Sequence, residues 1–194
     1  MEWVTTTRLL DQLRDFEEGE GWDRFVGAVR EPVLRFCRKL GLTASDAEDA
    51  TQESLVRFAR AFREGGYERD KGRLRDWLFG IVYRQVQDTQ RRLARGAERA
   101  GQADSALWAA LPDPHAASLS WQAEWERHVL QQCLRRVEQE VAAASYRAFM
   151  GVALEERPAA EVAQELGLSR NAVFLAKHRI TKRVRELQAE FEAP

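Results

Sequence analysis

The chain has 194 residues, 31% of them charged and 44% hydrophobic, with a formal net charge of −1, the balance of a folded chain rather than a disordered one. No apolar run approaches the roughly 18 residues of a membrane span. The opening residues MEWVTTTRLLDQLRDFEEGEGW lack a basic start followed by an apolar block, so neither a membrane segment nor a secretory signal is expected and a cytoplasmic location is the default.

Almost every periodic stretch reads as helix, and strand alternation is not evident. Residues near 22 to 40 place Phe25, Val29, Val33, Phe36 and Leu40 at helical steps and end at Gly41, a C-terminal stop. In TASDAEDATQESLVRFARAF, Thr43 or Ser45 serves as N-cap, with Asp46, Glu48 and Asp49 near the positive end of the helix dipole. Leu55, Phe58, Ala59 and Phe62 then face the core, and Asp46, Asp49, Glu53, Arg57 and Arg60 line the opposite side. Those carboxylates admit three readings: a solvated face, a docking face for a protein, or a metal site. The last is disfavoured, because no histidine accompanies them and Arg57 and Arg60 neutralise the strip. The helix stops at Gly65-Gly66, and Asp70-Lys71-Gly72 turn the chain into the next element.

That element, RLRDWLFGIVYRQVQDTQRR, is both apolar and basic. At about 100° per residue, Leu74, Trp77, Leu78, Ile81, Val82 and Val86 share one broad stripe suited to a core. Asp76, Gly80, Arg84, Gln87 and Arg91 form a second strip on another face. Arginines bordered by Trp77, Phe79 and Tyr83 suit a nucleic-acid backbone and unstacked bases; for Trp77, ordinary core packing competes with that role.

Between about Arg95 and Ser120 the composition shifts to Ala, Gly, Ser, Asp and Pro, which predicts a flexible linker in which Leu107, Trp108 and Leu111 form a short docking segment. The next helix, WQAEWERHVLQQCLRRVEQE, is amphipathic on Trp121, Trp125, Val129, Leu134 and Val137, and another follows around Tyr146 to Leu154. In PAAEVAQELGLSRNAVFLAKHRITKRVREL, Pro158 suits a first helical turn, Gly167 a left-handed stop and Ser169 the next N-cap. A tight turn between two helices is the DNA-reading helix-turn-helix arrangement. The last helix buries Val173, Ala176, Ile180, Val184 and Leu187. Its opposite face holds Asn171, Phe174, Leu175, His178, Lys182 and Arg185, bordered by Arg170 and Arg179. That face suits a major groove, with Asn for adenine, Arg for guanine and apolar groups for thymine methyls; a contact with another protein helix is the competing reading.

The two cysteines, Cys37 and Cys133, and the histidines His115, His128 and His178 are scattered, so buried thiols are expected and no metal site or cofactor follows from the spacing. Charge is uneven: Arg69 to Arg99 and Gly167 to Arg185 are basic patches, the second without an acid. Two nucleic-acid contacts with an acidic face elsewhere would distribute charge in this way. No nucleophile–base pair or phosphate loop can be assembled, so an enzyme is not expected.

LGLTASDAEDATQESLVRF and YERDKGRLRDWLFGIVYRQVQDTQRR resemble the second conserved region of bacterial sigma factors, and AAEVAQELGLSRNAVFLAKHRITKRVREL resembles their fourth. With only these two regions the chain resembles the extracytoplasmic-function group. The resemblance implies an all-α protein: a region 2-like domain over 1–95, a linker over 96–119 and a region 4-like helix-turn-helix domain over 120–194. It implies binding of core RNA polymerase through Asp46, Asp49, Gln52 and Glu53, and minus-ten recognition through Arg75, Trp77, Tyr83, Arg84, Gln87 and Arg91. It further implies minus-thirty-five recognition through Ser169, Arg170, Asn171, Phe174, His178, Arg179 and Lys182. Such a factor directs polymerase to promoter DNA at a subset of promoters, without catalysis of its own. Anti-sigma control is common in the group, which puts an anti-sigma factor or other regulator among the candidate partners. A stand-alone helix-turn-helix regulator is the alternative.

Overall fold

The computed structural model describes residues 19–99 and 113–192. The expectations placed on Leu107, Trp108 and Leu111 and on the middle of the linker lie outside the described residues. All regular structure among the described residues is helical, and two compact units divide between His128 and Val129.

The first unit begins with α1 (Gly19–Lys39). Gly41 ends it with φ +87°, a left-handed value that costs glycine little. Thr43 caps α2 (Ala44–Arg63), its hydroxyl accepting the Asp46 N–H at 3.2 Å. Gly65, at φ +76°, and a single 3-10 turn over Arg69–Lys71 then redirect the chain. The long α3 (Leu74–Arg99) follows. α2 packs on both α1 and α3. Phe25, Phe36, Phe58 and Leu78 are fully buried between them, each contributing roughly 1.5–3 kcal/mol by leaving water. One aromatic ladder runs Phe25–Phe58–Trp77–Tyr67, with ring centroids 4.5, 4.9 and 5.3 Å apart.

Here the structure corrects the expected linker. Residues 96–99 are the last turn of α3, and Pro114 opens α4 (Pro114–Glu140). Asp113 provides the start signal: its carboxylate accepts the His115 N–H at 3.1 Å and its carbonyl the Ala117 N–H at 2.9 Å. The proline taken for a linker residue is the N-terminal helical proline, whose missing N–H costs nothing in that turn. The division between units is displaced too, lying at 128/129 within α4 rather than at 119/120. The cause is Trp121, whose ring sits edge-on to Phe36 at 5.3 Å. The first half of α4 thereby becomes part of the first unit's core.

In the second unit, the rest of α4 is followed by α5 (Ala143–Phe149), which continues as one π-helical turn over Met150–Leu154. Then come α6 (Ala159–Leu166) and α7 (Arg170–Glu192). Ala148, Val162, Ala163, Val173 and Ala176 form its small core. Small residues let helices approach closely: a Cβ on Gly151 would lie 3.0 Å from a Val162 methyl.

Candidate functional site

The face of α2 away from the core begins at its cap. Asp46 adjoins Thr43, whereas Asp49, Gln52 and Glu53 are exposed farther along. Glu53 accepts a hydrogen bond from Gln85 of α3, which ties this face to the next helix. The sequence reading had Arg57 neutralising the acidic strip. Arg57 lines the same hollow as Asp49 and Glu53 and also pairs with Asp88 on α3 at 3.3 Å, where Arg91 approaches the same carboxylate at 3.7 Å. Val56 stands half exposed among these groups. It borders two hollows, one of about 490 Å³ edged by Asp49, Gln52, Glu53 and Arg60, the other of about 270 Å³ edged by Trp22, Val26 and Leu55. A rim of both charges, Asp49 and Glu53 with Arg57 and Arg60, around an apolar residue has the make-up of a surface that another protein can cover. Among the described residues, no three His, Cys, Asp or Glu side chains gather to hold a metal ion.

The predicted minus-ten residues do not form one continuous surface. Asp76, Arg84 and Arg91 are exposed along α3, with Gln87 partly so. Arg84 folds back so that its Nε donates to the Gly80 carbonyl at 2.7 Å. Trp77, on one side of this strip, is half-buried between Phe58 and Tyr67, so it forms a wall rather than a projecting ring. Arg75 and Tyr83 fall on the other side. Tyr83 is only 8% exposed and stacks on Phe79 at 5.5 Å, contrary to the exposed stacking role expected for it. On that side Trp121 of α4 lies over Phe79 at 6.3 Å, and its indole N–H donates to the Arg75 carbonyl at 3.0 Å.

The same contact holds residues that sequence reasoning missed. Glu124, 1% exposed, receives Lys39 at 2.6 Å and Arg35 at 3.4 Å. Glu124 lies about 60° outside Trp121 on the helix, beyond the stripe predicted to be buried, so periodicity did not point to it.

In the second unit, Gly167 adopts φ +64° and lets Leu168 N–H reach the Ala163 carbonyl at 2.9 Å. Ser169 then caps α7, accepting the Ala172 N–H at 3.1 Å. Only residues 167–169 separate α6 from α7. Arg170, Asn171, His178, Arg179 and Lys182 are exposed, as are Phe174 at 55% and Leu175 at 45%. Asn171, Phe174, Leu175, His178 and Lys182 share the face opposite buried Val173, Ala176 and Ile180, with Arg170 and Arg179 on its borders.

One cation departs from the basic patch. Arg183 turns to α4, where Nε meets Glu140 Oε2 at 2.8 Å and Nη2 meets Oε1 at 3.1 Å. This fork holds the Glu140 carboxyl below its ordinary range and raises the guanidinium. Desolvation by burial pushes both thiols, Cys37 and Cys133, up to about 11.

The all-helical fold defines a broad class of proteins, which the family comparison narrows. Residues 25–96 match the family model of Sigma-70 region 2, a span running from α1 through most of α3. No curated protein matches the chain. No helix among the described residues is long and apolar enough to cross a membrane.

Proposed function

We propose that this chain is a cytoplasmic sigma factor of the extracytoplasmic-function group, which binds core RNA polymerase and directs it to a subset of promoters. The match of residues 25–96 to Sigma-70 region 2 is the observation that carries the proposal. In this reading Asp46, Asp49, Gln52 and Glu53, around half-exposed Val56, form the docking face on polymerase. Arg84, Gln87 and Arg91 follow the backbone of the melted minus-ten strand, and Trp77 walls the base site.

The second unit acts as the helix-turn-helix. Ser169 fixes the start of α7, so that Arg170 and Asn171 reach base edges at the minus-thirty-five element. Phe174 contacts thymine methyls there, and His178, Arg179 and Lys182 lie along the phosphates. The exposure of both Phe174 and Leu175 among cations supports a groove-facing surface. No step requires a cofactor: the polymerase performs the chemistry.

Size-exclusion chromatography of the full chain with bacterial core polymerase tests the docking part, with Asp49→Arg/Glu53→Arg as control. Co-elution of the wild type and loss in the control are expected. Tight, polymerase-independent binding to a palindromic duplex, without co-elution, would establish the stand-alone regulator instead.

A further inference from the structure

The flank of α3 bearing Arg75, Phe79 and Tyr83 combines a guanidinium with two rings, a composition suited to stacking unpaired bases. In the structure α4 lies against the Arg75 backbone and the Phe79 ring of this flank. Trp121 bonds to the Arg75 backbone and packs over Phe79, while Glu124 of the same helix pairs with Lys39 and Arg35.

The covering contact is not constructed like permanent core. Taking a carboxylate out of water costs several kcal/mol, which ion pairing offsets only when the hydrogen bonds are complete. Here Glu124 Oε2 and Arg35 Nε and Nη2 are buried without one, although the two groups approach as an ion pair at 3.4 Å. Both cations also remain partly exposed, so water can reclaim them when the carboxylate departs. A Leu at position 124 would pack without that cost. The Glu makes a contact that holds the helix in place and can still release it.

We propose that residues 114–128, the first half of α4, are a detachable strap that hides the Arg75–Phe79–Tyr83 flank in the free chain and lifts to offer it to single-stranded nucleic acid. The inference rests on the assignment of α3 to the melted promoter strand. It adds an autoinhibitory contact within the first unit, with Trp121 as its wedge and Glu124 as its latch. A binding site open in a tenth of the molecules has an apparent affinity lowered about tenfold, and removing the cover restores it.

The test uses the full chain and a short fluorescein-labelled oligodeoxythymidylate, with binding followed by fluorescence anisotropy. Trp121→Ala removes the wedge, and Glu124→Gln is a milder variant that keeps the side-chain volume while weakening the latch. Hydrogen exchange at residues 117–125 reports whether the strap has opened, and protection in α2 reports whether the unit is still folded. The expected result is faster strap exchange with strand binding tightened by up to about tenfold, and loss of that gain when Arg75→Ala is added. Faster exchange with unchanged strand affinity would overturn the proposal, as would unchanged exchange in both variants. Failure of the sigma reading itself is separately visible: core polymerase would then yield no promoter-specific transcript with wild-type or variant chain, whatever the strand-binding result.

Discussion

Arg183 and Lys182 are adjacent on α7, and the proposed function gives them different work. Arg183 forms a two-pronged bond to Glu140, with the paired side chains 35% and 26% exposed. A hydrogen bond to a charged group contributes about 1.5–3 kcal/mol, whereas an exposed ion pair contributes about 0.2–1 kcal/mol. The partial exposure puts this fork between them, so Arg183→Ala should lower stability by about 1–2 kcal/mol. Glu140→Gln should cost a similar amount, because it weakens the ties to both Arg183 and Arg136, the latter at 2.8 Å, although Glu186 and Glu190 still approach Arg183 at 3.5 Å. Since the Glu140 carboxyl is held below its ordinary value of 4.5, its contribution is complete above that pH and fades as pH falls through the lowered value. Urea unfolding followed by circular dichroism measures these losses, and a double-mutant cycle isolates the pair. Duplex-DNA binding as a function of salt supplies the contrast. Lys182→Ala should reduce the salt slope by about one counterion, while Arg183→Ala leaves it unchanged. If Arg183→Ala left stability intact and lowered the salt slope, the assignment would be wrong.

Other expectations follow from single positions. Glu156 is a non-glycine residue at φ +55°, so Glu156→Gly should stabilise the chain by about 1 kcal/mol in thermal or urea unfolding; a loss of similar size would show that its side chain matters more than its backbone. Ser169→Ala removes the α7 cap and should cost about 0.5–2 kcal/mol, detectable as faster hydrogen exchange at Arg170 to Val173; unchanged exchange would discount the cap. Arg170→Ala or Asn171→Ala should weaken binding by about 1–3 kcal/mol at particular minus-thirty-five bases, whereas equal losses on every sequence would refute base readout. Cys37, buried and with its thiol pushed up to about 11, should react with a disulfide reagent at pH 8 far more slowly in the native chain than in denaturant; equal rates would contradict that burial.

Features set by a few neighbouring residues were the legible ones. Gly41, Thr43, Gly167 and Ser169 act within one helical turn, and each stands where its stop or cap was expected. The buried stripes of α3 and α7 were likewise readable, because helical periodicity records burial directly. Contacts between elements distant in sequence were not. The Pro-rich composition around Pro114 suggested a linker, since the docking of Trp121 onto Phe36 and Phe79, far away in the chain, leaves no local trace. Tyr83, stacked on Phe79, is buried, although from sequence alone it was indistinguishable from an exposed ring. Arg183 counted as one more cation of a basic helix until Glu140, 43 positions earlier, took up its guanidinium. Periodicity identifies the faces of a helix; only the fold decides what covers each face.

The most direct test of the central claim is in vitro transcription from a genomic fragment library by bacterial core RNA polymerase, with and without the full chain, mapping the RNA starts. A sigma factor predicts starts that appear only with the chain and share two spaced upstream elements. Active polymerase whose starts are identical with and without the chain, wild type and Trp121→Ala alike, would contradict the account.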